Sequence, residues 1–168
     1  MMAKSHVVVG IATWVAVARL LHLPPGDPVY LALAIAGSLL PDIDHPKSWI
    51  GRRARPVSTF IAATLGHRGI THSAIAVIGL VLLLQWAGQQ RGAISALAVG
   101  YLSHLAADML TPRGLRLAWP LQKTWGLPLC RTGSAMEPVI VVTLICLAGW
   151  SVLSHGIGRI GGLPFRLG

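Results

Sequence analysis

The stretch AIAVIGLVLLLQWAG, at residues 74–88, carries no charged side chain and therefore indicates a helix in an apolar environment. The stretch PVIVVTLICLAGWSVL, at residues 138–153, has the same character. An α-helix needs roughly 20 mostly apolar residues to cross a membrane. With their flanking residues these stretches predict spanning helices over 70–88 and 136–154, and a third apolar run predicts one over 92–110.

The composition of the whole chain agrees with this interpretation. Of its 168 residues, 54% are apolar and 11% are charged, whereas roughly a quarter of the residues in an average soluble domain are charged. The mean hydropathy is +0.66. These values exclude a disordered chain and a basic nucleic-acid-binding module, and a water-soluble globule fits them poorly. They indicate an integral membrane protein, with no nucleic acid among its partners.

Two further apolar runs complete the predicted architecture. Residues 6–22 and 28–41 each predict a helix, and 57–65 predicts an interfacial or re-entrant piece because it is too short to cross. We therefore expect an all-α polytopic membrane bundle of about five apolar helices, forming a single domain over residues 1–168. The first run also fits a signal peptide, with Lys4 as its basic region.

The positive charges indicate how such a bundle is oriented. In the five-helix arrangement, 10 of the 14 Lys and Arg residues fall on one side of the membrane. The other four are Arg19, Arg91, Arg159 and Arg166. Because cytoplasmic loops carry the excess of Lys and Arg, we expect a cytoplasmic N-terminus and an external C-terminus.

Acidic and imidazole side chains collect at one set of helix ends. Only five residues are acidic, and apart from Asp27, which sits in a PPGDP turn, each lies at or inside the end of an apolar helix. Ionisable groups at membrane depth are costly and mark functional sites by default. The residues that share the predicted cytoplasmic ends are His6, Asp42, Asp44, His45, His67, His72, His104, Asp108 and Glu137. We therefore expect the polar site at the cytoplasmic helix ends.

The spacing of these residues suits metal ions. His104 and Asp108 are four residues apart, so they share one helix face and can bind one cation. Pro41 ends the preceding helix and leaves Asp42 and Asp44 on an irregular segment, where they can converge on one metal or bridge two. Imidazole and carboxylate together suit zinc, and also manganese or iron. The number of candidate ligands allows two or three ions, and a multi-metal site suits phosphoryl transfer.

A turn joins another pair of candidate ligands. Gly69 lies between His67 and His72 and permits a tight turn, and Thr71 is placed to cap the helix that follows. Structural alternatives exist, because a single His at a helix end can act as a cap and a His–Asp pair can hydrogen-bond between helices. The metal site is favoured because acids and imidazoles occur together on one face.

Several motifs suggest a family. They are HVVVG at 6–10, LLPDIDHP at 39–46, GHRGITHS at 66–73, GYLSHLAADMLTPRGLRLAWP at 100–120 and RTGSAMEP at 131–138. Together they resemble the YdjM-like family of bacterial inner-membrane proteins, which are described as metal-dependent hydrolases. That family in turn resembles the zinc-dependent phospholipase C and single-strand nuclease superfamily, helical proteins with a three-zinc site in which an H-x-x-x-D pair supplies ligands.

The resemblance implies a location, a ligand set and a reaction. The protein would lie in the bacterial inner membrane and hydrolyse a phosphoester with two or three zinc ions. The metal ligands that it implies are His6, Asp42, Asp44, His67, His72, His104 and Asp108, with Glu137 as a further ligand or base. His104 and Asp108 match the H-x-x-x-D pair.

These residues suggest a mechanism. Metal-bound water has a pKa of about 7, and a carboxylate of Asp42, Asp44 or Glu137 that is not occupied as a ligand would accept its proton. Arg68 follows a ligand His and would clamp the phosphate. Arg113 and Arg131 lie on the same predicted face, and for these two membrane topology is an equally good explanation. A site at head-group depth favours membrane lipids as substrate as well as environment.

Three other functions stay open on the sequence. An ion or metal transporter also places acids and imidazoles in helices, although 75–84 and 139–149 carry no charged side chain. The second is a membrane protein that keeps a metal without catalysis. The third is a metallohydrolase that cleaves a carboxylic ester or an amide.

Overall fold

The computed structural model describes residues 2–65 and 69–160, and within these ranges the chain is helical. Its α-helices are α1 (Ala3–Leu20), α2 (Pro28–Leu39), α3 (Arg55–Leu65), α4 (Ala74–Trp86), α5 (Arg91–Met109) and α6 (Met136–Ile160). Two short 3₁₀ helices, Leu40–Asp44 and Ile70–His72, follow α2 and precede α4. No β-strand occurs in the described ranges, so the all-α prediction is confirmed there.

The start of α2 is determined by its local sequence. The Asp27 carboxylate accepts hydrogen bonds from the backbone N–H groups of Val29 and Tyr30, at 2.8 and 3.1 Å. Pro28 occupies the first helical position, where a missing N–H has no cost and the fixed φ suits a helix. The turn residue Asp27 is therefore an N-cap.

The start of α4 differs from the prediction. Ser73 is the N-cap, and its hydroxyl accepts a hydrogen bond from the N–H of Ala76 at 3.4 Å. Thr71, which the sequence favoured as the cap, lies in the preceding 3₁₀ helix and donates its hydroxyl proton to Asp44 at 2.5 Å. The capping prediction for Thr71 is wrong because Ile70–His72 form a 3₁₀ helix, so α4 begins at Ala74 and not at residue 70.

The five predicted apolar helices correspond to α1, α2, α4, α5 and α6, and the predicted interfacial piece is the 11-residue α3. By length and hydropathy, α1 is the one helix of the described chain that qualifies as a membrane span. The apolar segments Ala74–Trp86 and Met136–Trp150 are shorter. A polytopic arrangement with five crossing helices therefore stays a prediction.

The helices pack around two buried clusters. Helices α1, α2 and α5 contact one another, α6 contacts α1, and α4 contacts α5. The first cluster contains Trp14, Ala18, Ala34 and Ala96, and the second contains Val77, Tyr101, Leu105 and Leu115. The three alanines allow the α1, α2 and α5 backbones to approach closely, as small residues do between membrane helices.

The outer surface is apolar as well. On α4 the side chain of Trp86 is 85% exposed, and Leu82 and Leu83 are also exposed. On α6 Trp150 is 71% exposed, and Leu147 is exposed beside it. Soluble monomers rarely expose apolar faces of this extent. These faces suit a lipid environment.

The connection from α5 to α6 folds back on the end of α5. Leu115 and Trp125 exchange backbone hydrogen bonds, each N–H donating to the other's carbonyl at 2.8 Å. Further along, the N–H of Leu127 donates to the carbonyl of Met109 at 2.7 Å. The N–H of Cys130 donates to the carbonyl of Leu110 at 2.9 Å. The connection therefore forms part of the surface around the end of α5, where the candidate site lies.

Candidate metal centre

Imidazole and carboxylate side chains from four elements meet at one end of the bundle. They come from the first turns of α1, the two 3₁₀ helices and the last turns of α5. The side chains gathered there are His6, Asp42, Asp44, His72, His104 and Asp108. Five of them are buried, and the side chain of Asp42 is 24% exposed.

His104 lies at the middle of the group. Its ring stacks on the ring of His6, with centroids 3.8 Å apart. Its Nε2 lies 3.8 Å from an oxygen of Asp42 and 3.8 Å from Oδ2 of Asp108. The Oδ1 atom of Asp108 lies 3.3 Å from Nε2 of His6, and its Oδ2 lies 3.9 Å from Nε2 of His72. The two oxygens of Asp108 thus point to different imidazoles.

Two sets of three side chains have the geometry of a metal site. One set is His6, His104 and Asp108, and the other is Asp42, His72 and His104. Within each set the ligand atoms lie within 4.8 Å of one another. Zinc binds His nitrogen and carboxylate oxygen at about 2.0–2.2 Å, so ligand atoms that share a tetrahedral zinc ion are roughly 3.4 Å apart. The separations of 3.3 to 3.9 Å between these imidazole nitrogens and carboxylate oxygens are close to this value.

A buried ring nitrogen without a partner also fits a cation. The Nδ1 atom of His104 donates a hydrogen bond to the Ser38 carbonyl at 2.7 Å, which leaves its Nε2 as the lone-pair nitrogen. Among the described residues, this buried Nε2 finds no hydrogen-bond partner. A buried polar atom in that state is costly unless something binds it. The donor set and this nitrogen together fit a divalent metal ion.

Outer contacts orient the imidazoles. The Nδ1 atom of His72 lies 3.2 Å from Oδ2 of Asp44, and the Thr71 hydroxyl donates to the same oxygen. The Tyr101 hydroxyl donates to the Thr71 carbonyl at 2.6 Å and so attaches this turn to α5. A ligating His commonly donates its second N–H to a carboxylate or a carbonyl in this way. Asp44, predicted as a ligand, is thus placed behind His72.

Glycines bring α2 and α5 into backbone contact. A Cβ at Gly37 would collide with the carbonyl of Leu97, and a Cβ at Gly100 would collide with the carbonyl of Ala34. This close crossing places the Ser38 carbonyl, next to Gly37, within reach of His104, one turn after Gly100. The orientation of the central imidazole therefore depends on two residues without side chains.

Glu137 lies apart from both sets of three. Its Oε1 accepts hydrogen bonds from the Ser5 hydroxyl at 2.5 Å and the Met2 N–H at 2.8 Å. Its Oε2 accepts one from the Gly133 N–H at 2.7 Å. These contacts attach the start of α6 to the start of α1. Its predicted role as a ligand or base stays a prediction, and the contacts in the structure are those of a junction between two helices.

The Asp42 side of the group opens to a cavity of about 950 Å³. Four basic side chains, Lys4, Arg52, Arg113 and Arg131, line it together with Asp42. Burial raises the pKa of the Asp42 carboxyl, while the neighbouring imidazoles of His6 and His72 lower it. Among the three carboxylates around His104, Asp42 is the one that lines this cavity.

Three further residues of the predicted site are not part of the two ligand sets. His67 and Arg68 lie outside the described residues, so the pairing of His67 with His72 and the phosphate clamp by Arg68 stay predictions. His45 lines the cavity. Sequence reasoning missed Ser38 and Tyr101, whose roles depend on the helix crossing. The glycines at 37 and 100, each within a helix, were the available signal for that close approach.

The helical fold, the apolar outer faces and the buried imidazole–carboxylate group define a membrane-associated protein with a candidate metal site. The family described as "YdjM inner membrane protein" matches residues 1–160, and the chain belongs to this family. The family's description supports a location in the bacterial inner membrane.

Individual relatives agree with this assignment. The chain is 40% identical over 124 residues, 70% of its length, to "Inner membrane protein YdjM" of Escherichia coli and of Shigella flexneri. The match spans 63% of the length of each of these two relatives. It is 32% identical over 160 residues to "Uncharacterized protein YvsG" of Bacillus subtilis, covering 93% of this chain and 98% of the relative. No solved structure shows a significant match.

Proposed function

We propose that this protein is a membrane-bound metal-dependent hydrolase that cleaves the phosphoester of a lipid or lipid-linked phosphate. The observation that carries the proposal is the buried group around His104, in which two sets of three side chains share one imidazole. The unpartnered Nε2 of His104 supports a bound cation. The cationic cavity beside Asp42 supports an anionic substrate.

The donor set supports zinc, with manganese or iron as alternatives. His6, His72, His104, Asp42 and Asp108 would hold the ions. Zinc held there would lower the pKa of a coordinated water to about 7 and would so supply hydroxide near neutral pH.

One carboxylate beside the ions would act as the general base. Asp42, partly exposed at the cavity, would accept the proton of the attacking water through a carboxylate oxygen that does not hold an ion, because Asp44 is buried behind His72 and Glu137 is held by hydrogen bonds. The H-x-x-x-D pair at His104 and Asp108 is compatible with a distant relation to the zinc-dependent phospholipase C and single-strand nuclease superfamily.

A second cavity supports a lipid substrate. Its volume is about 510 Å³, and it lies between α1, α5 and α6. Its lining is almost entirely apolar and includes Val9, Leu102, Leu110 and Leu144. Leu110 directly precedes Thr111, which lines the basic cavity. A hydrocarbon chain suits the apolar cavity, and a phosphate suits the basic cavity.

The topology belongs to the same proposal. We infer that the chain is a single domain in which α1, α2, α4, α5 and α6 cross the inner membrane. The excess of basic residues then places the N-terminus, and the metal site with it, on the cytoplasmic side. Membrane lipids would be both the environment of the protein and the source of its substrate.

The test is turnover by purified protein in detergent or nanodiscs. We expect release of phosphate or of a phosphorylated head group from a panel of phospholipids and lipid phosphates, loss of activity after chelation and recovery with zinc. His104→Asn should remain inactive after zinc is added. Equal turnover by metal-free protein would refute the mechanism.

Two other outcomes would replace the proposal. Stoichiometric metal without turnover of any lipid would favour a non-catalytic metal protein, and metal uptake into proteoliposomes would favour a transporter. Product analysis separates cleavage of a phosphoester from cleavage of a carboxylic ester, because only the former releases a phosphate-bearing product without a free fatty acid.

A further inference from the structure

The cavity beside Asp42 carries an excess of positive charge that nearby acidic side chains do not neutralise. Lys4, Arg52, Arg113 and Arg131 line it, and all four side chains are exposed. Within the described ranges, none of the four forms an ion pair with an acidic side chain. Four cations around one concave space repel one another unless an anion lies between them.

The acids that might have balanced them are used elsewhere. Asp27 caps α2 at the start of that helix. Glu137 accepts three hydrogen bonds between α1 and α6. The remaining three acidic residues, Asp42, Asp44 and Asp108, lie among the imidazoles around His104. The cavity therefore presents cations on its rim and a single carboxylate, that of Asp42, at its inner side.

The four cations come from separate parts of the chain. Lys4 lies in the first turn of α1, Arg52 lies in the turns before α3, and Arg113 and Arg131 lie in the connection between α5 and α6. The connection is held in place by its backbone hydrogen bonds to the end of α5. The fold thus brings charges together that are far apart in sequence.

We propose that Lys4, Arg52, Arg113 and Arg131 form a binding site for the phosphate group of the substrate. Arginine suits this task because its planar guanidinium can donate two parallel hydrogen bonds to phosphate oxygens. The proposal rests on the proposed hydrolase function, since it assigns the substrate chemistry of the same site. The phosphate belongs either to a lipid head group or to a soluble phosphate compound, and the experiment distinguishes these sources.

The experiment measures binding and turnover separately. The zinc-loaded full chain is placed in nanodiscs of uncharged and zwitterionic lipid. Calorimetry then records binding of three probes: dihexanoyl phosphatidic acid, dihexanoylglycerol and inorganic phosphate. We expect the phosphatidic acid to bind and dihexanoylglycerol, which lacks the phosphate, to bind at least tenfold more weakly. Tighter binding of the phosphatidic acid than of inorganic phosphate assigns a lipid source, and equal binding assigns a soluble one.

Matched variants test the assigned residues. Arg113→Gln and Arg52→Gln should each weaken binding about tenfold, the effect of losing a hydrogen bond between charged groups. The controls are Arg116→Gln and Arg55→Gln. Each removes an exposed cation that is near Arg113 or Arg52 in sequence but does not line the cavity. Both control variants should bind the probes as the unaltered protein does. Zinc content should be unchanged in all four variants, which checks that the chain is folded and the metal site intact.

The outcomes separate this proposal from the function on which it rests. If binding depends on Arg113 and Arg52 but no lipid phosphoester is hydrolysed, the anion site stands and the hydrolase fails. If turnover occurs with the same KM in the cavity variants and the controls, the hydrolase stands and the anion site is overturned. Equal weakening by cavity and control substitutions also overturns it, because this result indicates general attraction to anionic lipid.

Discussion

A buried imidazole that donates from one nitrogen has a single lone pair with which to bind a cation, and His104 is in this state. Its Nδ1 is committed to the Ser38 carbonyl, and its Nε2 faces Asp42 and Asp108. The bond to a backbone carbonyl fixes both the tautomer and the ring orientation before any metal arrives. His104 belongs to both candidate sets of ligands, and its single lone pair can serve only one of them at a time.

Replacing this imidazole should remove the metal. We expect His104→Asn to lower zinc affinity by more than the roughly 10–100-fold that is typical of changes outside the ligand shell. Elemental analysis of purified protein and competition with a chelator measure the effect. His22→Asn is the control, since His22 is exposed and Asn tolerates its positive φ of 56°. Unchanged zinc content in His104→Asn would indicate that His104 and Asp108 are only a structural pair.

Asp44 allows a finer test, because the sequence predicts a ligand and the structure places its carboxylate behind His72. We expect Asp44→Asn to weaken zinc binding by roughly 10–100-fold, as loss of an outer partner does. Asp108→Asn, which alters a carboxylate directed at three imidazoles, should have a larger effect. The same chelator competition compares the two variants. Equal losses would assign Asp44 to the metal itself.

The glycine crossing of α2 and α5 positions the central imidazole. Gly100→Ala would place a methyl group against the Ala34 carbonyl and force the helices apart. We expect a loss of roughly 1–3 kcal/mol in the free energy of unfolding, the usual cost of overpacking. Zinc affinity should fall in parallel, because the Ser38 carbonyl would move away from His104. Denaturant unfolding in detergent and chelator competition measure the two effects.

Gly79→Ala is the matched control for this crossing. Gly79 also lies inside a helix, α4, but a Cβ there meets nothing within 4 Å. The substitution should therefore leave zinc affinity unchanged and stabilise the helix by up to about 1 kcal/mol. If Gly100→Ala behaves as Gly79→Ala does, the crossing is not the device that orients His104.

The same elements explain what the sequence could and could not predict. Long apolar runs predict helices well, because each run alone carries the signal, and the described helices follow them closely. The spacing of His104 and Asp108 likewise predicts a shared face without knowledge of the fold. The cap at Ser73 and the placement of Asp44 behind His72 were not predictable, since both depend on a 3₁₀ turn and on its packing against α5. Tertiary contacts of this kind leave no periodic pattern in the sequence.

Charged and apolar side chains are separated in space across the described part of the protein. The net charge is +9. The acidic residues lie in the candidate metal centre, in the α1–α6 junction or at the cap of α2. The basic loops are thus left to interact with the surroundings of the protein, while the exposed leucines and tryptophans of α4 and α6 form apolar outer faces. This separation has a consequence for orientation in a membrane, because loops rich in Lys and Arg are retained in the cytoplasm.

The predicted orientation can be tested with single cysteines. In a background with Cys130→Ser and Cys146→Ser, Gln89→Cys lies between α4 and α5, and Gln122→Cys lies in the connection before α6. Both glutamines are exposed and uncharged, so the two substitutions are matched. We expect a membrane-impermeant maleimide to label the first in intact spheroplasts and the second only after lysis. Labelling of both in intact cells, or the reverse order, would place the connection and the adjoining metal site on the external side and remove the cytoplasmic assignment.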